Sequence, residues 1–213
     1  MNRLAARVLF PAVCFAPPAG AAVLAEQAFE PSPHPWAYTL DPDPVAAGFH
    51  PSLSRFGITD DLGNFTLGSG DFLGVRNAGD LANPHGQSVF VRFAEITLTH
   101  HQDVELRFDY RVRDFDPGES VGYELFLNGV SQGDTVLVAG KTARSDVSGS
   151  VAIPLPDAAD AVSLVLRVTQ SGTGDYTGFD NFQIHAMPEP LSAGLLAPWV
   201  LAARFRPRHL SQS

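Results

Sequence analysis

The side chains able to do chemistry are few in kind and scattered along this 213-residue chain. Seven histidines are present, and His100 and His101 are neighbours. On a strand, neighbours point to opposite faces, so these two cannot hold one metal ion between them. No HExxH pair occurs, and no regularly spaced histidine pair replaces it. The single cysteine, Cys14, lies in an apolar N-terminal stretch. Disulfides and thiolate metal sites are therefore excluded for the rest of the chain. No GxSxG elbow supplies an activated serine, and Gly68-Ser69-Gly70 lacks the lysine of a phosphate loop. Glycoside hydrolysis needs two carboxylates at a set separation across a cleft. Glu95, Glu105 and Glu124 supply carboxylates, but nothing in the sequence pairs them. What remains is oxygen and aromatic chemistry. Asp180 and Asn181, with Asp41, Asp43, Asp60 and Asp61, are hard oxygen donors, and Ca²⁺ takes six to eight such ligands. Trp36, Tyr38, Tyr176 and Phe179 are aromatic side chains that either stack on sugar rings as a ligand-binding platform or fill a core.

Charge narrows the partners. The chain carries 23 Asp and Glu against 14 Lys and Arg, a net charge of −9. Between residues 23 and 186 stand 22 acidic and nine basic residues, with Lys141 the one lysine. Such a domain repels nucleic acid and anionic lipid, and it suits divalent cations and neutral glycans. The two ends are basic instead. Arg3 and Arg7 precede an apolar stretch over 8–16, and Ala19-Gly20-Ala21 is a small-x-small cleavage pattern. Together they make the three-part layout of a secretory signal peptide over residues 1–22, with Ala19 and Ala21 as the cleavage pattern and the cut expected after Ala21 or Ala22. At the other end, Pro188-Glu189-Pro190 is followed by 13 uncharged residues (191–203) and then Arg204, Arg206 and Arg208. As a helix those 13 residues would reach about 20 Å, short of a bilayer core about 30 Å thick. Residues 187–213 thus read as a tail with only transient membrane contact, set apart from the domain at 23–186.

Strands must position the candidate residues. Val104, Leu106, Phe108, Tyr110 and Val112 alternate with Glu105, Arg107, Asp109, Arg111 and Arg113, the period of a half-buried antiparallel strand. Val121, Tyr123, Leu125 and Leu127 repeat the pattern and end at Asn128-Gly129, a hairpin dipeptide. Val162, Leu164, Leu166 and Val168 make a third strand, and Val89, Val91 and Phe93 begin a fourth. Segments 149–155 and 179–184 read as two more. In the loopier first part, 36–40, 64–67 and 72–75 are short candidates. Gln132-Gly133-Asp134 and Ser171-Gly172-Thr173-Gly174 read as turns, and no amphipathic helix of useful length occurs. About eight strands at 8–15-residue spacing predict one all-β domain, an antiparallel two-sheet sandwich of jelly-roll type.

Two stretches resemble known families. The order Pro188-Glu189-Pro190, apolar segment, Arg204, Arg206 and Arg208 resembles the PEP-CTERM sorting signal of proteins exported by Gram-negative bacteria that make extracellular polysaccharide. That resemblance implies an exosortase as processing partner and residence in the cell envelope, on the cell surface or in the extracellular matrix. Segment 176–184 is similar to the closing strand of extracellular jelly rolls, among them carbohydrate-binding-module and concanavalin-like domains. In some of these an aspartate at the place of Asp180 helps bind a structural calcium, which implies Ca²⁺ at Asp180 and Asn181. The alternative for Asp180 is a carboxylate bonded to neighbouring backbone amides at the start of a strand segment. The chain accordingly reads as an exported, non-enzymatic envelope or matrix component with no required cofactor and polysaccharide as expected partner. A secreted glycan-active hydrolase or lyase on the same scaffold is the competing reading.

Overall fold

Strands with one apolar face must bury it, and two such faces packed together make a core. The computed structural model describes residues 22–49, 54–68, 70–79, 83–141 and 146–188, with side chains through 186. The predicted signal-peptide residues Ala19 and Ala21, and the tail residues Glu189, Pro190, Arg204, Arg206 and Arg208, lie outside the described residues. Within them run β1 (Ala22–Gln27), β2 (Tyr38–Asp41), β3 (Arg55–Thr59), β4 (Phe72–Arg76), β5 (Ser88–Thr97) and β6 (His101–Arg113). They are followed by β7 (Ser120–Leu127), β8 (Val130–Ala139), β9 (Asp146–Pro154), β10 (Ala161–Thr169) and β11 (Tyr176–Pro188). One sheet has the order β3-β4-β11-β6-β9, with β1 beside the second half of β11; the other has the order β2-β5-β10-β7-β8. Neighbouring strands are antiparallel throughout. From β4 onward the chain passes back and forth between the sheets, β7–β8 excepted. That is the two-sheet antiparallel sandwich with jelly-roll connections that the alternation predicts.

The predicted inward residues are inward. Val162, Leu164, Leu166 and Val168 of β10 and Val104, Leu106, Phe108 and Val112 of β6 are buried. Phe182 joins the layers, its ring 4.5 Å from Phe93 and stacked 5.1 Å from Phe108. Asn128 and Gly129 both have positive φ, 52° and 74°, as a two-residue type I′ hairpin turn demands. Asn128 Oδ1 also accepts the N–H groups of Asp160 and Ala161, at 2.8 and 2.9 Å, which ties the turn to the start of β10.

Other expectations fail. β8 continues through Gln132-Gly133-Asp134, where a bulge takes the place of the expected turn: the pairing with β7 shifts between Ser131 and Asp134, and Gly133 has φ 87°; an edge strand exposed on both sides has no apolar face to announce it. Segment 64–67 is no strand. β11 continues two residues into the expected tail, pairing Met187 with Gln102 and Pro188 with His101. Gly57, Gly74 and Gly178 stand in register across β3, β4 and β11, and this bare strip is where the loop after β3 folds back. Leu62 and Phe65 from that loop join Phe72 and Tyr176 in a second, smaller apolar cluster. A Cβ at residue 74 would stand 2.8 Å from both Leu62 Cδ1 and Thr59 Cγ2. Gly74→Val should therefore cost about 1–3 kcal/mol through overpacking, read as a lower urea midpoint. An unchanged midpoint would mean that the loop does not bear on the sheet.

Candidate functional site

Because Val89, Val91 and Phe93 face the core, Phe90 and Arg92 must face outward from β5. They do: Phe90 is half-buried and Arg92 exposed. The Arg92 guanidinium lies 5.4 Å from the Phe90 ring centroid, and the His85 ring meets Phe90 edge-on at 5.6 Å. Asp41, at the end of β2, ties the two together, accepting from Arg92 Nη2 at 3.2 Å and meeting His85 Nε2 at 2.8 Å. The His85 hydrogen bond, joined by that of Arg92, holds the Asp41 carboxyl below its usual range. Arg92 also lines a cleft of about 240 Å³ at the paired residues of β2 and β5, with Tyr38 and Phe93 among others. The sequence signal for Phe90 was its parity within β5, and a reading of apolar faces alone passes over it.

Asp180 sits at a β-bulge. The pairing of β11 with β6 shifts between Asp180 and Gln183, and Asn181 takes φ 56°, a conformation asparagine tolerates. The extra residue lets Phe179 and Phe182 both enter the core while Asp180 faces the other way, 6% exposed. Asp180 Oδ1 accepts the Asn181 N–H at 2.7 Å, the local backbone bond that the sequence left open. Asn181 donates its side-chain N–H to Asp109 Oδ2 at 2.8 Å. Asp180 and Asn181 line a cleft with Ala28, Glu30, Gly68 and Gly70. The Glu30 carboxylate occupies the space a Cβ at residue 70 would need. Burial, reinforced by the negative charges of Asp109 and Glu30, pushes the Asp180 carboxyl up to about 6 against the Asn181 N–H. A buried carboxyl facing further carboxylates fits a hard cation, for which Asp180, Glu30 and Asn181 Oδ1 are the available donors.

Of the carboxylates expected to complete that set, Asp41, Asp43 and Asp61 have other partners. Asp41 lies in the other sheet with His85 and Arg92. Asp43 accepts the N–H groups of Val45 and Ala46, and Asp61 accepts that of Asn64. Among the described residues no three His, Cys, Asp or Glu side chains gather as a metal-binding group. A cation in the Asp180 cleft would therefore complete its shell with backbone carbonyls and water.

The aromatic trio Trp36, Tyr38 and Tyr176 does not form one platform. Trp36 is fully buried, and its Nε1–H is donated to Ala94 O at 2.7 Å; it is core. Tyr176 is 9% exposed and stacked on Phe65, on the sheet opposite Tyr38. Phe179 is also core. Tyr38 alone lines a cleft, half-buried, with burial raising its hydroxyl above the usual range. Glu105 bonds Arg107 on the outer face of one sheet, and Glu124 bonds Ser131 on the outer face of the other, so these two carboxylates cannot flank one bond. A different carboxylate grouping went unseen in the sequence. Glu119 and Asp175, 5% and 3% exposed, meet where the loop before β7 touches the loop before β11.

No family model matches the chain, and no curated protein is similar to it in sequence. Solved structures share its outline. TmCBM61 in complex with β-1,4-galactotriose matches at 11% identity and a TM-score of 0.37, over 70% of this chain and 87% of that one. The CBM22-1 xylan-binding domain from Paenibacillus barcinonensis matches at 15% identity and 0.36, over 82% and 100%. The K3 cleaved adhesin domain of Lys-gingipain from Porphyromonas gingivalis matches at 14% identity and 0.41, over 78% and 99%. These are likenesses of outline, and neither a ligand nor an activity of this chain follows from them.

Proposed function

We propose that this chain is an exported, non-catalytic protein of the bacterial envelope or extracellular matrix that binds polysaccharide through the outer face of β2 and β5. The observation that carries this reading is Phe90, an outward aromatic ring with Asp41, His85 and Arg92 fixed around it. A sugar ring offers a face of C–H groups rimmed by hydroxyls. The Phe90 ring takes the first, and the charged groups take the second. Because those groups already hold one another, little ordering cost remains at binding. The PEP-CTERM-like tail and the signal-peptide layout support export and sorting by an exosortase. Calcium in the Asp180 cleft would be a structural ion that locks the first strand region onto β11. The catalytic reading has less support, since Glu105 and Glu124 lie on opposite faces.

Affinity electrophoresis of the full chain against xylan and β-1,4-galactan tests the surface. Retardation by at least one is expected, weakened about tenfold or more, about 1.4 kcal/mol, by Phe90→Ala. Equal retardation of the variant would reject this face, and release of reducing ends by the wild type would reject the non-catalytic reading. Mass spectrometry of the protein from its native host tests the sorting. Loss of residues after the Pro188-Glu189-Pro190 region is expected, and a C-terminus intact through Ser213 would reject processing.

A further inference from the structure

A free sheet edge invites another strand, and proteins blunt such edges with charge, proline, bulges or short length. Most edges of this sandwich are blunted. β2 and β3 are four and five residues long, and the Arg55 side chain donates to Ile58 O on β3 at 3.0 Å. β1 is closed by the segment beside it, where Glu26 donates its N–H to His34 O at 2.9 Å and accepts that of Trp36 at 2.7 Å. β8 carries Asp134, and its pairing with β7 shifts twice. β9 has none of these devices. Its nine residues pair with β6 without a break, from Asp146 opposite Arg113 to Pro154 opposite Glu105. Between Asp146 and Pro154 it carries no charge. Among the described residues no strand pairs with its other edge, where alternate residues turn their N–H and C=O groups outward. The inward side chains of Val147, Val151 and Ile153 stay half-buried, whereas Leu106 and Leu164, inward from β6 and β10, are fully buried. Tyr110 stands opposite Gly149, its hydroxyl 2.8 Å from where a Cβ would be, so the bare residue lets that ring reach towards the free edge.

We propose that β9 is a dimerisation edge, pairing antiparallel with β9 of a second copy of this chain about a two-fold axis at Ser150. In that register the strand is complementary to itself. Val147 faces Ile153 of the second copy, Ser148 faces Ala152, Gly149 faces Val151, and Ser150 faces its counterpart. The inward face then sets apolar against apolar, with Val151 of the second copy in the space beside Gly149 and the Tyr110 ring. Asp146, the strand's one charge, meets Pro154 at either end. The two aspartates are then about 27 Å apart at about 3.4 Å per residue, beyond the reach of their repulsion in salt. A slip of one residue would set inward side chains against outward ones. β8 lies on the same flank, because Phe182 of β11 packs on Phe93 of β5 and Phe108 of β6 on Tyr123 of β7. It brings Val130 and Val136, 63% and 55% exposed, to the partner's side. A nine-residue edge is small for an interface, so the dimer is weak and concentration-dependent. A two-fold that keeps inward side chains on one face stands perpendicular to the joined sheet. Both copies therefore turn their Phe90 faces the same way. Resting on the carbohydrate reading above, the dimer holds one polysaccharide surface at two points.

Sedimentation velocity of the full-length chain from about 1 to 300 μM reads the association, with an expected dissociation constant of about 1–100 μM. Ser148 and Ala152 are exposed on β9, so they can be charged without entering the core. Ser148→Lys with Ala152→Lys sets like charges opposite each other across the two-fold. It should weaken association about tenfold or more, and so should Ser148→Glu with Ala152→Glu. Mixing the two double variants should restore the dimer, because each lysine then faces a glutamate. That restoration also shows that both variants are folded. Phe90→Ala should dimerise as wild type does, so this edge and the glycan-binding face fail separately. A wild type still monomeric at about 300 μM, or one that grows beyond a dimer, would overturn the proposal. Double variants that associate as wild type does, or a mixture that associates no better than its parts, would overturn it as well.

Discussion

Replacing Asp175 by asparagine should stabilise the protein at neutral pH, and the gain should vanish as the pH falls below about 4. Asp175 is 3% exposed. Burial first, then the charge and hydrogen bond of Glu119, and lastly the charge of Asp116 push its carboxyl from an ordinary 3.8 up to about 6, against the Gly172 N–H. Glu119 is held by the N–H of Asp116 at 2.8 Å and by the N–H and Oγ of Ser171 at 2.7 and 3.0 Å, so it cannot swing away. The folded state therefore holds a proton at Asp175 that the unfolded chain releases between about pH 4 and 6, and stability falls as pH rises through that window. Above it the ionised pair costs up to about 3 kcal/mol, a difference of about two pKa units. Asparagine mimics the protonated form at every pH. Its carbonyl oxygen accepts the Gly172 N–H, and its NH₂ donates to Glu119. Asp41 and Asp146, whose carboxyls are held below the usual range by their hydrogen-bonded cations, lose stability only in stronger acid and are too exposed to reverse the trend. Urea unfolding of wild type and Asp175→Asn across pH 4 to 8 reads the difference. A variant no more stable than wild type at neutral pH, or one equally displaced at every pH, would show that the pair is not strained.

What the sequence made legible follows from burial. β6 and β10 were legible because each has one face sunk in the core, so period two runs unbroken from Val104 to Val112 and from Val162 to Val168. β8 was not, because Val130 and Val136 are 63% and 55% exposed and an edge strand is often kept polar. Residue type alone could not place Trp36, because the group that satisfies its indole is a carbonyl 58 residues away. Asp180 could be flagged from its neighbours in sequence, yet Glu30 could not be joined to it. Only the pairing of β1 with β11 brings the segment after Gln27 to that cleft. Glu119 and Asp175 were hidden for the same reason, since their loops meet only once β7 and β11 are in place.

Adding calcium at neutral pH should raise the melting temperature, and Asp180→Asn should abolish the response. Asp180 is buried with the Asn181 N–H as its hydrogen-bond donor and with Glu30 and Asp109 adding negative charge. A divalent cation would replace that repulsion with attraction. Glu30 reaches the cleft because residue 70 lacks a Cβ, so Gly70→Ala should weaken the response by displacing that carboxylate. At a free concentration about a hundred times the dissociation constant, binding to the folded state alone adds about 2.7 kcal/mol. For a domain of this size that is a rise of about 5–10 °C. Asp180→Asn removes a buried charge as well as a ligand, so without calcium the variant should melt no lower than wild type, and with calcium its curve should not move. That combination separates a lost ion site from a damaged fold. If millimolar calcium leaves the wild-type curve in place, or if Asp180→Asn responds as wild type does, the cleft holds no calcium and the raised Asp180 carboxyl is the cost of packing β11 against the loop at Glu30.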